Sequence, residues 1–121
     1  MAKTFVQDGK SLPWTNGTGS DLSSGDPVVI GEQIGILAVD IANGASGTVY
    51  MEGVFTVPKV SAAEIGQGES VIWDASEGAF EDSLATPATG DVSGCCAAWA
   101  AAAAGTTTVQ VKLNVGVGTV A

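Results

Sequence analysis

The residues Gly9-Lys10-Ser11 correspond to the end of a phosphate-binding loop, the strongest candidate for chemistry in the sequence. The complete loop requires another glycine five residues before Gly9, and Thr4 occupies that position. No glycine-rich segment precedes the lysine and no long helical pattern follows it. We therefore interpret these residues as a turn after the first strand.

A cluster of carboxylates lies further along the chain, where Glu77, Glu81 and Asp82 follow Asp74. Paired acids can hydrolyse glycosides when they face each other across a cleft. These acids flank Gly78, and such residues are typical of solvated turns. Nothing nearby in the sequence would raise the pKa of one carboxyl over that of another. We favour a turn, and a small glycan-binding or glycan-active β domain stays an alternative.

Metal and nucleophile chemistry has few candidate residues, because the chain contains no histidine or arginine. Zinc sites use spaced Cys and His, whereas Cys95 and Cys96 are adjacent. Asp21 and Asp26 lack the alternating spacing of a calcium loop. A hydroxyl nucleophile needs a base, and no motif supplies one. The sequence predicts a protein that is not an enzyme, with no metal and no cofactor, and two buried, unbridged cysteines that point to opposite faces of a strand.

The charge of the chain restricts its partners. Thirteen carboxylates and four lysines give a net charge of −9. Nucleic acids and anionic membranes are bound mainly by cations, so neither is predicted as a partner. A partner with a basic or apolar face fits better. No apolar signal core follows Lys3, which predicts a protein made in the cytoplasm.

The elements that carry these residues are predicted to be short strands. The 121 residues suggest one domain, and 17 glycines between runs of Val, Ile, Leu and Phe are typical of an all-β fold. We expect a small single-domain β-barrel or sandwich with an N-terminal arm and mobile loop at 1–26 and a β domain at 27–121. A hairpin is predicted at 27–39 and a fraying tail at 115–121. Strands are predicted at 4–7, 27–30, 34–39, 48–57, 70–73, 79–81 and 107–115.

Two features leave alternatives open. Residues 94–105 are rich in alanine, which favours a helix, but the run is short and an alternating segment follows it, so we favour a strand. Trp73 and Trp99 are expected in the core, whereas Trp14 beside the mobile loop is either an interface anchor or a packed side chain.

Four segments together resemble a known family. They are AKTFVQDG at 2–9, SGDPV at 24–28, EGVFTVPK at 52–59 and GESVIWD at 68–74. In this order and spacing they are similar to phage and prophage capsid cement proteins, also called head decoration proteins. Members often carry the label putative RecA/RadA phage recombinase. The incomplete phosphate loop and the scarcity of cations argue against that label.

The resemblance implies a non-catalytic viral structural protein that binds and stabilises the outside of a bacteriophage capsid as a cement trimer. Its implied partners are the major capsid protein and two further copies of itself, and its implied location is the virion, after synthesis in the bacterial host. The alternative is a recombination accessory protein that binds single-stranded DNA. In such families the N-terminal arm and nearby loops touch the shell, so the expected capsid or subunit interface comprises Lys3, Thr4, Phe5, Val6 and Trp14.

Overall fold

The structure, a computed structural model, describes residues 3–121. Met1 and Ala2, which open the predicted arm, lie outside the described residues. Ten strands form two antiparallel sheets, and residues 3–121 contain no helix. It follows that none of them lies in a helix able to span a membrane. The predicted all-β class is confirmed, in the form of two sheets, and no closed barrel is found among these residues.

The smaller sheet contains the first four strands in the order β1-β4-β3-β2. They are β1 (Ser11–Thr15), β2 (Pro27–Ile30), β3 (Gln33–Leu37) and β4 (Ser46–Tyr50). The predicted hairpin is confirmed by β2 and β3, which pair through the turn at Gly31 and Glu32. A separate apolar core lies on this sheet and is formed by Val28, Leu37, Ile41, Val49 and Met51.

The larger sheet has the order β5-β9-β8-β6-β7, and β10 pairs with β8. Its strands are β5 (Val54–Pro58), β6 (Ser70–Asp74), β7 (Ala79–Glu81), β8 (Val92–Ala98), β9 (Thr108–Lys112) and β10 (Thr119–Val120). Trp73 and Phe80 pack edge to face in its core, with ring centroids 5.1 Å apart. Ile34 and Ile36 of β3 join the same core, so burial of apolar surface holds the two sheets together.

The single strand predicted at 48–57 is wrong. The chain leaves the smaller sheet after Tyr50 and enters the larger one at Val54. Gly53 makes this crossing with a φ of 125°, which favours glycine. A Cβ there would lie 3.1 Å from the Phe55 ring, so the site also has little space for a side chain. The alternation concealed the crossing because both strands bury every second residue, including Val49 and Val57.

Both ends of the chain also differ from expectation. Residues 4–7 form no strand, and the first strand starts at Ser11. The tail, which was expected to fray, contains a short strand in which Thr119 and Val120 pair with β8. The amide of Ala121 donates to the Asp91 carbonyl, and the Ala121 carbonyl accepts from Gly90, both at 2.9 Å. The strand favoured at 94–105 is confirmed only as far as Ala98, since the chain then turns away from the sheet.

Residues 16–26 form a loop organised around Asn16, whose side chain is fully buried. Its Nδ2 donates to the carbonyls of Ser20 and Ile41, and its Oδ1 accepts from the Thr18 amide and hydroxyl. Leu22 forms a β-bridge with Ile41. These bonds connect the loop to the smaller sheet. The strand before the loop, β1, belongs to the same sheet, because it pairs with β4. The division of the chain at residue 26 and the mobility of this loop stay predictions.

Gly118 provides a local test of how the tail docks. A Cβ at this position would lie 2.7 Å from the Ser93 carbonyl oxygen and 3.0 Å from that of Glu32. The Gly118→Ala variant is therefore expected to lose about 1–3 kcal/mol of unfolding free energy, because backbone must shift. Gly116→Ala is the matched control, since its nearest neighbour is 3.6 Å away. Urea unfolding measures both, and equal stabilities would contradict the proposed close packing.

Candidate functional site

The partial phosphate motif has no ligand-binding geometry. Gly9 and Lys10 form an exposed turn, and Ser11 then begins β1. The interpretation of these residues as a turn is confirmed, although the turn precedes the first strand instead of following it.

The carboxylates Asp74 and Glu81 lie on the paired strands β6 and β7, and their pKa values separate. Hydrogen bonds from the Ser76 hydroxyl and from backbone amides lower the pKa of Asp74. Burial, together with the nearby Asp74, raises the pKa of Glu81. The expectation that nothing would separate these acids is wrong. The separation follows from turn hydrogen bonds at Asp74 and from burial at Glu81. The two surface grooves described below are lined by residues of other segments.

The cations available for anion binding are fewer than the sequence indicates. Lys59 is buried, and its Nζ donates to the backbone carbonyls of Val60, Ser61 and Ala63. A buried lysine held in this way cannot neutralise a phosphate at the surface. Among residues 3–121, no group of three or more Cys, Asp or Glu side chains is placed to hold a metal ion.

The predicted interface residues separate into two groups. Lys3, Thr4, Phe5 and Val6 lie in an exposed arm, with Phe5 58% and Val6 89% exposed. Trp14 instead lies in β1, half-buried against the core of the smaller sheet. The arm thus exposes two apolar side chains, whereas Trp14 packs against its own sheet.

A second candidate surface lies on the larger sheet, and we call it the neutral face. It consists of the outward side chains of β5 and β9 together with the loop 99–106. Thr56 and Gln110 are exposed cross-strand partners on it, and Lys112 is its one charged residue. A groove of about 290 Å³ crosses it, lined by Thr56, Ala100, Ala101, Ala102, Ala103, Thr106, Thr108, Val109 and Gln110.

Trp99 borders the neutral face, and its predicted place in the core is wrong. The side chain is 53% exposed, because strand alternation buries Ala98 and turns its neighbour outward. The Trp99 amide donates to the Gln110 carbonyl at 2.8 Å, which fixes the loop beside β9. A second groove, of about 350 Å³, lies at its side and is lined by Gln67, Gly68, Ala98 and Trp99.

The distribution of charge distinguishes this face from the region of β6 and β7 on the same sheet. Residues 92–111 contain no charged residue, although the chain carries a net charge of −9. In contrast, the segment of β6, β7 and their connections carries Glu69, Asp74, Glu77, Glu81, Asp82 and Asp91. The charge-free stretch was visible in the sequence, but its exposure depends on where β8 ends.

A family model described as phage cement protein matches residues 6–113. The chain belongs to the phage cement protein family. No curated protein matches the sequence. Family membership gives the chain a structural role in association with a phage capsid in the virion. The matched region includes Trp14 and the whole neutral face, whereas Lys3, Thr4 and Phe5 precede it.

Proposed function

We propose that this cement protein binds the outside of the capsid shell as a homotrimer, contacts the major capsid protein, and stabilises the shell without catalysing a reaction. The observation that carries this proposal is the neutral face, an exposed, nearly uncharged surface on a strongly acidic chain. The arm and the neutral face have different chemistry, and we assign them different partners.

The neutral face is the surface that suits contact between identical copies. Two chains of net charge −9 repel each other, and the repulsion is smallest where neither presents a carboxylate. The alanines of the loop 99–106 permit close approach of a neighbouring backbone, and Trp99 supplies an aromatic anchor. Around a three-fold axis each copy presents one patch to one neighbour and a different patch to the other. On the neutral face, loop 99–106 and β5 provide these two adjoining patches.

The arm is the segment that suits contact with the shell. Phe5 and Val6 offer apolar surface, and Lys3 and Lys10 are two of the four lysines in the chain. One arm buries little area, so its contact is weak alone. A trimer presents three arms at once, and the second and third contacts form at a high effective concentration. Trimer formation therefore strengthens capsid binding.

Deletion of residues 1–8 tests the role of the arm. The truncated chain is expected to keep its thermal midpoint, because β1 begins only at Ser11, and to bind capsids at least about tenfold more weakly. Binding is measured by co-sedimentation with undecorated capsids. The control is Leu84→Ser, which removes an exposed apolar side chain from a loop in the larger sheet. Normal decoration by the truncated chain would exclude the arm from the contact.

A further inference from the structure

Cys95 and Cys96 are both buried, and their Sγ atoms lie 3.5 Å apart. Adjacent residues of a regular strand point to opposite faces, as the sequence led us to expect. That expectation is wrong here because β8 contains a bulge. Its register with β6 shifts between residues 96 and 93, and Gly94 adopts a φ of 86°. The bulge directs both thiols into one core.

The two thiols are chemically unequal. The hydrogen bond from the Cys96 thiol lowers the pKa of Cys95, whereas that same contact and burial raise the pKa of Cys96. Cys95 is thus the thiol that ionises first, and the thiolate is the form that oxidants attack. A second thiol within 3.5 Å is placed to react with whatever product forms on Cys95.

We propose that Cys95 and Cys96 form an oxidation site that a peroxide converts into a disulfide between neighbouring residues. The Cys95 sulfur attacks one peroxide oxygen, the O–O bond breaks, and sulfenic acid and one water form. The Cys96 sulfur then attacks the Cys95 sulfur, the S–O bond breaks, and a second water leaves. The two sulfurs lose two electrons to the peroxide oxygens, and both thiol protons end in water.

Access to this site depends on the tail of the chain. A Cβ on Gly94 would lie 4.0 Å from the Gly118 Cα, and a Cβ on Gly116 would lie 3.6 Å from the Gly94 carbonyl oxygen. The segment that covers the bulge ends in β10, which has only two residues. A short strand of this kind opens locally at low cost. A small peroxide therefore reaches the thiols through transient opening of the tail.

The disulfide is expected to weaken the fold. Neighbouring Cα atoms lie about 3.8 Å apart, closer than the roughly 4.4–6.8 Å that disulfides usually span. The bond closes a loop with no intervening residue, so it restricts the unfolded chain very little. Strain that the disulfide introduces into the bulge then outweighs the small stabilisation from restricting the unfolded chain. The strain acts on β8, the strand that pairs with β10 in the tail.

The experiment treats the folded chain with hydrogen peroxide and measures its intact mass and thermal midpoint. We expect a loss of about 2 Da, a midpoint lower by about 4 °C, and recovery of both with a thiol reductant. Cleavage after Lys59 and Lys112 assigns the change, because peptide 60–112 carries both cysteines and no methionine. An unchanged peptide, or one that only gains oxygen, would overturn the proposal.

The single variants Cys95→Ala and Cys96→Ala are the matched controls. Neither variant can form the disulfide. Both are therefore expected to lack the mass loss of about 2 Da, which corresponds to two hydrogen atoms, and the reversible change in thermal midpoint. A peroxide-induced shift equal to that of the natural chain in both variants would overturn the link between the disulfide and stability. The peptide readout on the natural chain decides the proposal even if a variant does not fold.

Discussion

Replacement of Asn114 with alanine is expected to reduce the unfolding free energy by about 4 kcal/mol. The Asn114 side chain connects the two sheets: its Nδ2 donates to the carbonyls of Ile34 at 2.9 Å and Met51 at 2.7 Å, and its Oδ1 accepts from the Ile34 amide at 3.2 Å. Each lost bond contributes about 1 kcal/mol. The residue also has a φ of 52°, where alanine costs about 1 kcal/mol more.

Two further variants at Asn114 separate these causes. Asn114→Gly tolerates the positive φ and removes only the amide, so it is expected to lose about 3 kcal/mol. Asn114→Asp keeps the size of the side chain but places a carboxylate oxygen against the Ile34 and Met51 carbonyls, and this repulsion is expected to make it no more stable than the alanine variant. Urea unfolding gives all three values. A glycine variant as stable as the natural chain would mean that the amide does not hold the sheets together.

The sequence predicted those elements whose signals are local. The β2–β3 hairpin follows from two β-branched runs around a glycine, and β6 and β7 follow from short apolar runs around Gly78. Such runs bury one face wherever the sheet lies, so the all-β class does not depend on topology.

Features that depend on distant contacts could not be predicted. Asn114 bonds to Ile34 across 80 positions, and nothing beside Asn114 in the sequence indicates this partner. The bulge at Gly94 depends on the register with β6, and β10 is too short to produce a pattern. Among the candidate site residues, the exposure of Lys3, Thr4, Phe5 and Val6 could be predicted from the composition of the arm. Trp99 could not be placed, because an alanine-rich run gives no sign of where its strand ends.

The charge-free character of the neutral face leads to the second large expected effect. Thr56→Glu combined with Gln110→Glu places two carboxylates opposite each other at the centre of this face. Like charges brought together at an interface cost several kcal/mol, and each 1.4 kcal/mol corresponds to about tenfold in affinity. The variant is expected to self-associate at least about 100-fold more weakly and, as a monomer, to decorate capsids poorly.

The matched control is Thr48→Glu, an exposed threonine within β4 of the smaller sheet. It adds the same side chain to a strand surface outside the neutral face, so it reports the cost of glutamate in a strand without affecting the proposed contact. Sedimentation equilibrium against protein concentration gives the mass of each assembly, and thermal unfolding checks that each chain is folded. The three-fold arrangement requires a limiting mass of three chains for the natural protein and for Thr48→Glu. If the double variant forms the same trimer, or if only Thr48→Glu dissociates, the copies meet through a different surface.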